Sequence, residues 1–270
     1  MQLDRRTRMS RVALFMMLGT AATSSLANLV TNGSFENTNV TTTSLWGHFC
    51  QPGVAVNNWS SNSVGQGIVL PSWQPGAPGT GVLFPAGNAC YGGNAPVGLA
   101  GPVTTSSPDG GNFVFSDGDP TYAGNIDQTI SGLTAGVIYT LKFLQALAQE
   151  TETSMIGNYG PVTGHWDVSF VGGAVQSSST MTANGLLGTW SPWAQQTMTF
   201  VATGLPQVLR FHAIGTGLPP FLLLDGVNLE QQVPEPSSLA LVLLAGIASA
   251  SAYRRTRWLR DAPEGMPSGH

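Results

Sequence analysis

Val137-Ile138-Tyr139-Thr140-Leu141-Lys142-Phe143-Leu144 decides the fold. Its pattern has period two, with Tyr139, Leu141 and Phe143 on one face, which is the signature of a strand buried on one side. Asn125-Ile126-Asp127-Gln128-Thr129-Ile130 alternates in the same way, placing Ile126, Gln128 and Ile130 together, and Gly132-Leu133-Thr134-Ala135-Gly136 connects the two. Outward from this pair, strand patterns recur at 28–30, 67–70, 112–115, 166–171, 194–201, 207–213 and 221–229. In the last, Leu222, Leu224 and Gly226 oppose Leu223, Asp225 and Val227. Nine or ten short strands between Gly, Pro and Asn turns predict an all-β fold, a two-sheet antiparallel sandwich. Trp59 and Trp166, near strand patterns, are expected in its core.

The two ends of the chain differ from this middle. Arg5, Arg6, Arg8 and Arg11 precede an apolar stretch at 12–18 and a small-residue segment ending Ser25-Leu26-Ala27. That order predicts a signal peptide over 1–27, cleaved by signal peptidase before Asn28. At the other end, Val233-Pro234-Glu235-Pro236 leads into an uncharged run at 237–253 and then Arg254-Arg255-Thr256-Arg257. As a helix the run reaches roughly 25 Å, a minimal single transmembrane span, with the arginines on the cytoplasmic side. Residues 258–270 form a polar tail. Motif, apolar span and arginine cluster resemble the PEP-CTERM sorting signal of Gram-negative bacteria. The resemblance implies recognition at 233–257 by a membrane protease of the exosortase type. It further implies export through the inner membrane, anchoring there, then a place at the cell surface or outside, usually linked to extracellular polysaccharide.

The body, 28–232, retains only Lys142 and Arg210 against ten acidic residues, a net charge of −8. So few cations argue against nucleic acid as a partner. Cys50 and Cys90 both lie in the exported part, where an oxidising compartment favours one disulfide. It would close a loop of about 40 residues; two free buried thiols are the other reading. The stretch 71–108 is dense in Gly and Pro and reads as a long, disulfide-tethered insertion, either a ligand-facing surface or a cover over one sheet.

Leu29-Val30-Thr31-Asn32-Gly33-Ser34-Phe35-Glu36, the strands at 125–130 and 137–143, and Leu222-Leu223-Leu224-Asp225-Gly226-Val227-Asn228-Leu229 resemble the jelly-roll carbohydrate-binding modules of galactose-binding-domain-like fold. The resemblance implies a jelly roll. It also implies a structural Ca²⁺ held by Glu36 and Asp225, at the end of the first strand and in the last, a donor set that suits a hard cation. In the other reading Glu36 caps a turn and Asp225 bonds backbone amides. Trp73, Trp190 and Trp193 lie in turn-rich settings and are candidates for a sugar-stacking platform, because sugar C–H faces pack on aromatic rings. Asp117-Gly118-Asp119-Pro120 reads as a solvated turn, and Glu150 and Glu152 as a solvated strand end. No nucleophile elbow or metal-ligand histidine pair is present in the sequence, so no catalytic residue is assigned. The expectation is a non-catalytic, envelope-sorted protein that binds or resides in extracellular polysaccharide. A structural or adhesive surface protein without a sugar site is the first alternative. A glycan-processing enzyme, which would need two carboxylates converging in a cleft, is the second.

Overall fold

The computed structural model describes residues 27–39, 44–45, 55–63, 65–69, 82–84, 97–100, 107–152, 160–183, 190–217, 220–232 and 246–249. Fourteen strands run through them. They are β1 (Ser44–Leu45), β2 (Ser60–Ser61), β3 (Gln66–Val69), β4 (Val82–Phe84), β5 (Val97–Ala100), β6 (Phe113–Asp117) and β7 (Asn125–Ile130). Then come β8 (Ile138–Glu152), β9 (Val162–Phe170), β10 (Gln176–Ser177), β11 (Met181–Ala183), β12 (Ala194–Val201), β13 (Gln207–Thr216) and β14 (Pro220–Gln231). All pairings are antiparallel. One sheet has eight strands, in the order β1-β3-β6-β14-β8-β5-β4 with β12 also on β8; the other has six, β10-β9-β13-β7-β2 with β11 also on β9.

The two sheets face each other across a single apolar layer, the arrangement that alternating strands require. From the larger sheet come Ile68, Val114, Tyr139, Leu141, Phe143, Leu222 and Leu224; from the smaller, Ile126, Ile130, Trp166, Val168, Leu209 and Phe211. Phe143 and Phe211 meet edge to face across the gap at 5.1 Å. Trp166, fully buried, also donates its indole N–H across it to the Leu223 carbonyl at 3.2 Å. Trp59 is likewise in the core. On the opposite side of the larger sheet, the alternate residues Phe115, Ala146, Ala148, Phe221 and Leu223 are buried as well.

Several expectations need correction. No strand forms at 28–30: Leu29 makes one backbone bond, to Leu229, and the chain then turns through left-handed Asn32 and Phe35. β8 continues eight residues beyond 144, where from Gln145 to Gln149 both faces are buried and period two disappears. Within 71–108, β4 and β5 pair and extend the larger sheet along β8. In β14 a bulge lies between Asp225 and Asn228, with Gly226 at φ 55°. It reverses the alternation, so Val227 and Leu229 join the core on the side of Leu222 and Leu224. Asp117 does not sit in a solvated turn: it ends β6 and is fully buried.

The signal-peptide residues before 27, Cys50, Cys90 and Trp73 lie outside the described residues, as does the sorting segment apart from Gly246 to Ser249. Those four form a helical turn. Among the described residues no helix is long and apolar enough to cross a membrane.

Candidate functional site

The solvent face of the six-stranded sheet is built by alternation. On β7, β9 and β13 the inward residues fill the core, which leaves Asn125 and Asp127, His165, Asp167 and Ser169, and Arg210 and His212 on the other side. Register sets them in rows: Arg210 lies between Asp127 and Ser169, and His212 between Asn125 and Asp167. With the β9–β10 hairpin they enclose a shallow depression of about 330 Å³ lined by Asn125, Asp167, Ser169, Arg210 and His212, with Val171, Gly172, Gly173 and Val175 along the rim.

Two members of the polar floor, Arg210 and Asp167, are held in place by hydrogen bonds to neighbours. Arg210 donates to Asp127 from Nε at 2.9 Å and from Nη2 at 2.6 Å, a fork-on-carboxylate geometry that fixes the guanidinium plane. This bonding raises the Arg210 pKa above its ordinary value. Asp167 accepts from the Ser177 hydroxyl at 2.6 Å, and His165 Nε2 lies 3.4 Å from the same oxygen. His212 Nδ1 is buried with no hydrogen-bond partner among the described residues. Val171 and Val175 are 48% and 60% exposed beside this floor. Donors, acceptors and small apolar walls in one hollow can bind a polyhydroxylated ligand, hydroxyls down and C–H groups against the valines. Sequence reasoning did not assemble this site, because its residues come from three strands and share no motif. A signal existed in the outward i, i+2 pairs and in Arg210, one of two cations in the body.

The charge of Glu36 acts on Asp225, so the two carboxylates share one locality. Asp225 is fully buried; Oδ1 accepts from the Gly226 amide at 2.7 Å, and Oδ2 makes no hydrogen bond of ordinary geometry among the described residues. Burial pushes its pKa up to about 8; the Ser107 hydroxyl and Gly226 amide oppose this, and the charges of Asp109 and Glu36 add to it. Glu36 accepts from the Asn112 amide at 2.6 Å. Gly111, at φ 67°, leaves it room: a Cβ there would overlap the Glu36 carboxylate. The buried Asp225 carboxylate and the two acids acting on it suit a hard cation in charge and donor type. Among the described residues no three His, Cys, Asp or Glu side chains converge as a metal cluster.

Trp190 and Trp193 meet Phe113 edge-on at 6.5 and 5.5 Å, on the other sheet's side of the sandwich. Both are half-buried, and both indole N–H groups are buried without a partner among the described residues. Glu150 and Glu152 occupy the end of β8.

No protein-family model matches the chain, and no curated protein matches it in sequence. Among solved structures it is similar to TmCBM61 in complex with β-1,4-galactotriose, at 14% identity and a TM-score of 0.36, over 76% of this chain and 99% of that one. It is also similar to a cyclase from Fischerella sp. TAU in complex with 4-(1H-indol-3-yl)butan-2-one: 17% identity, TM-score 0.39, 76% and 97% covered. A third is the K1 cleaved adhesin domain of Lys-gingipain from Porphyromonas gingivalis W83: 12% identity, TM-score 0.37, 74% and 96% covered. A binding module, an enzyme and an adhesin at such distances assign no chemistry to this chain.

Proposed function

We propose that the chain is an exported, non-catalytic protein with a jelly-roll body that binds polysaccharide through the solvent face of its six-stranded sheet. The observation that carries this is the depression over Asn125, Asp167, Ser169, Arg210 and His212 with its valine rim. The mechanism is hydrogen bonding to sugar hydroxyls by the polar lining, of which Arg210 and Asp167 are already held by their neighbours and need little ordering on binding. Arg210 is neutralised by Asp127, and Asp167 adds a negative charge, so the hollow suits an uncharged saccharide better than an acidic one. Stacking of sugar on Trp73, Trp190 and Trp193 is the competing reading of where the ligand binds. Glu36 and Asp225 would hold a structural Ca²⁺ with carbonyls completing its shell; its role would be to neutralise buried charge between the first segment and the last strand. The 1–27 and 233–257 segments would direct export, membrane anchoring and sorting, with signal peptidase and an exosortase-type protease as partners.

A glycan array probed with the purified chain tests the reading. Retention on neutral polysaccharides is expected, lost at least tenfold in the double variant Arg210→Ala, His212→Ala and kept in Trp190→Ala, Trp193→Ala. The reverse pattern moves the site to the tryptophans. No retention on any glycan removes the function.

A further inference from the structure

Three large apolar side chains are exposed together at one end of the sandwich. Ile138 opens β8 and is 43% exposed; Val201, its register partner at the end of β12, is 63% exposed; Leu205, in the next turn, is 70% exposed. The turns that carry them touch. Gly136 N–H donates to the Ala202 carbonyl at 2.8 Å, Ala202 N–H to Val137 at 3.0 Å, and a Cβ on Gly204 would lie 2.8 Å from that of Ala135. Beside them a hollow is lined by Gly136, Val137, Ile138, Gln231 and Gln232.

Both ends of the body point the same way. Gln232 N–H donates to the Ile138 carbonyl at 2.8 Å, and Val233 follows. At the other terminus Val227 donates to Gly33 and Leu29 donates to Leu229, so the chain read backwards from Gly33 heads toward Gln232. The apolar segments 12–18 and 237–253 therefore adjoin one end of the sandwich in sequence. Ser237 is five residues past Gln232, within about 17 Å at full extension. The described part of the second segment, Gly246 to Ser249, is helical and exposed, Ile247 at 66%.

We infer that this end faces a lipid bilayer, with Ile138, Val201 and Leu205 resting in the boundary between headgroups and acyl chains. The inference depends on reading 237–253 as a membrane segment. Three exposed side chains would hold a free domain only weakly, but a short tether makes the contact intramolecular and raises the local concentration of the surface. The contact is apolar and needs no anionic lipid: of the body's two cations, Arg210 is committed to Asp127.

The test is hydrogen exchange on the full chain in phosphatidylcholine nanodiscs, compared with the variant Val201→Asp, Leu205→Asp in the same discs. Amides of 134–138 and 202–205 are expected to exchange at least threefold more slowly in the unaltered chain, at low salt and at 1 M salt alike. Amides of β9 should exchange equally in both, which shows that the variant is folded. Equal exchange in the loops with the chain in the disc overturns the surface and leaves the anchor standing. Loss of the protection in high salt overturns its apolar origin. A chain absent from the disc fraction overturns both the surface and the anchor.

Discussion

Burying Asp117 ties the stability of the sandwich to pH. Oδ1 accepts from the Asp119 amide at 2.7 Å, while Oδ2 is buried and unpartnered among the described residues. Burial pushes the pKa up to about 7 from 3.8; the Asp119 amide opposes this and the Asp119 charge adds to it. The folded state thus holds the proton more tightly than the unfolded chain. This stabilising contribution is complete below about pH 3.8, declines as pH rises, and is gone above about pH 7, where a charged carboxylate is buried. Asp117→Asn removes the charge and keeps an acceptor for the amide. In urea unfolding it should raise stability on the order of a few kcal/mol at pH 8 and little at about pH 3.5; an equal effect at both pH values contradicts the account. Asp225 calls for a different probe. Ca²⁺ at about 100 times its Kd should stabilise the chain by about 2.7 kcal/mol, read as a rise in Tm, and Asp225→Asn should abolish the rise. Unchanged Tm with Ca²⁺ would leave Glu36 as a turn cap alone. The sequence brought Glu36 and Asp225 together through a resemblance, but nothing in the Asp-Gly-Asp-Pro string signals that Asp117 ends a buried strand. Its burial depends on neighbours distant in sequence, among them Gly65, where a Cβ would lie 2.7 Å from Asp117 Cβ.

The bulge in β14 gives the last strand two faces of use. Before it, Leu222 and Leu224 face the core; after it, Val227 and Leu229 do, and Asp225 is left on the outer side near Asp109 and Glu36. Gly226 makes this possible at φ 55°, and a Cβ there would lie 3.1 Å from Leu144 Cδ1. Gly226→Ala should cost about 1–2 kcal/mol, the ordinary penalty of a left-handed backbone with a Cβ. The denaturant midpoint should fall with m unchanged; no shift would mean that the bulge tolerates a side chain. Elements with one solvated face were legible to the residue: β7 and β12 occur where alternation put them. The C-terminal half of β8 was not, because a strand covered on both sides carries no period-two signal. A bulge has no local pattern either, beyond a glycine that could equally be a turn.

At the scale of the molecule, the two sheets have different outer faces. The larger buries Phe115, Phe221 and Leu223 on its outer side, whereas the smaller leaves Asn125, Asp167, Arg210 and His212 half-exposed. Only the second can meet a soluble ligand without moving a residue of this set. The Arg210–Asp127 pair is partly exposed, so its loss should cost about 1 kcal/mol or less, and a variant that loses ligand should still be folded. The sandwich itself was legible because its period-two segments agree with one another across the chain. The depression was not, since a site assembled from three strands exists only once register is known. Amide NMR during titration with a neutral oligosaccharide taken from the array addresses this face most directly. Shifts are predicted at Asn125 and Asp127, across 165–175 and at 208–212, with 190–193 unmoved. Shifts confined to 190–193, or none at saturating ligand, would contradict it.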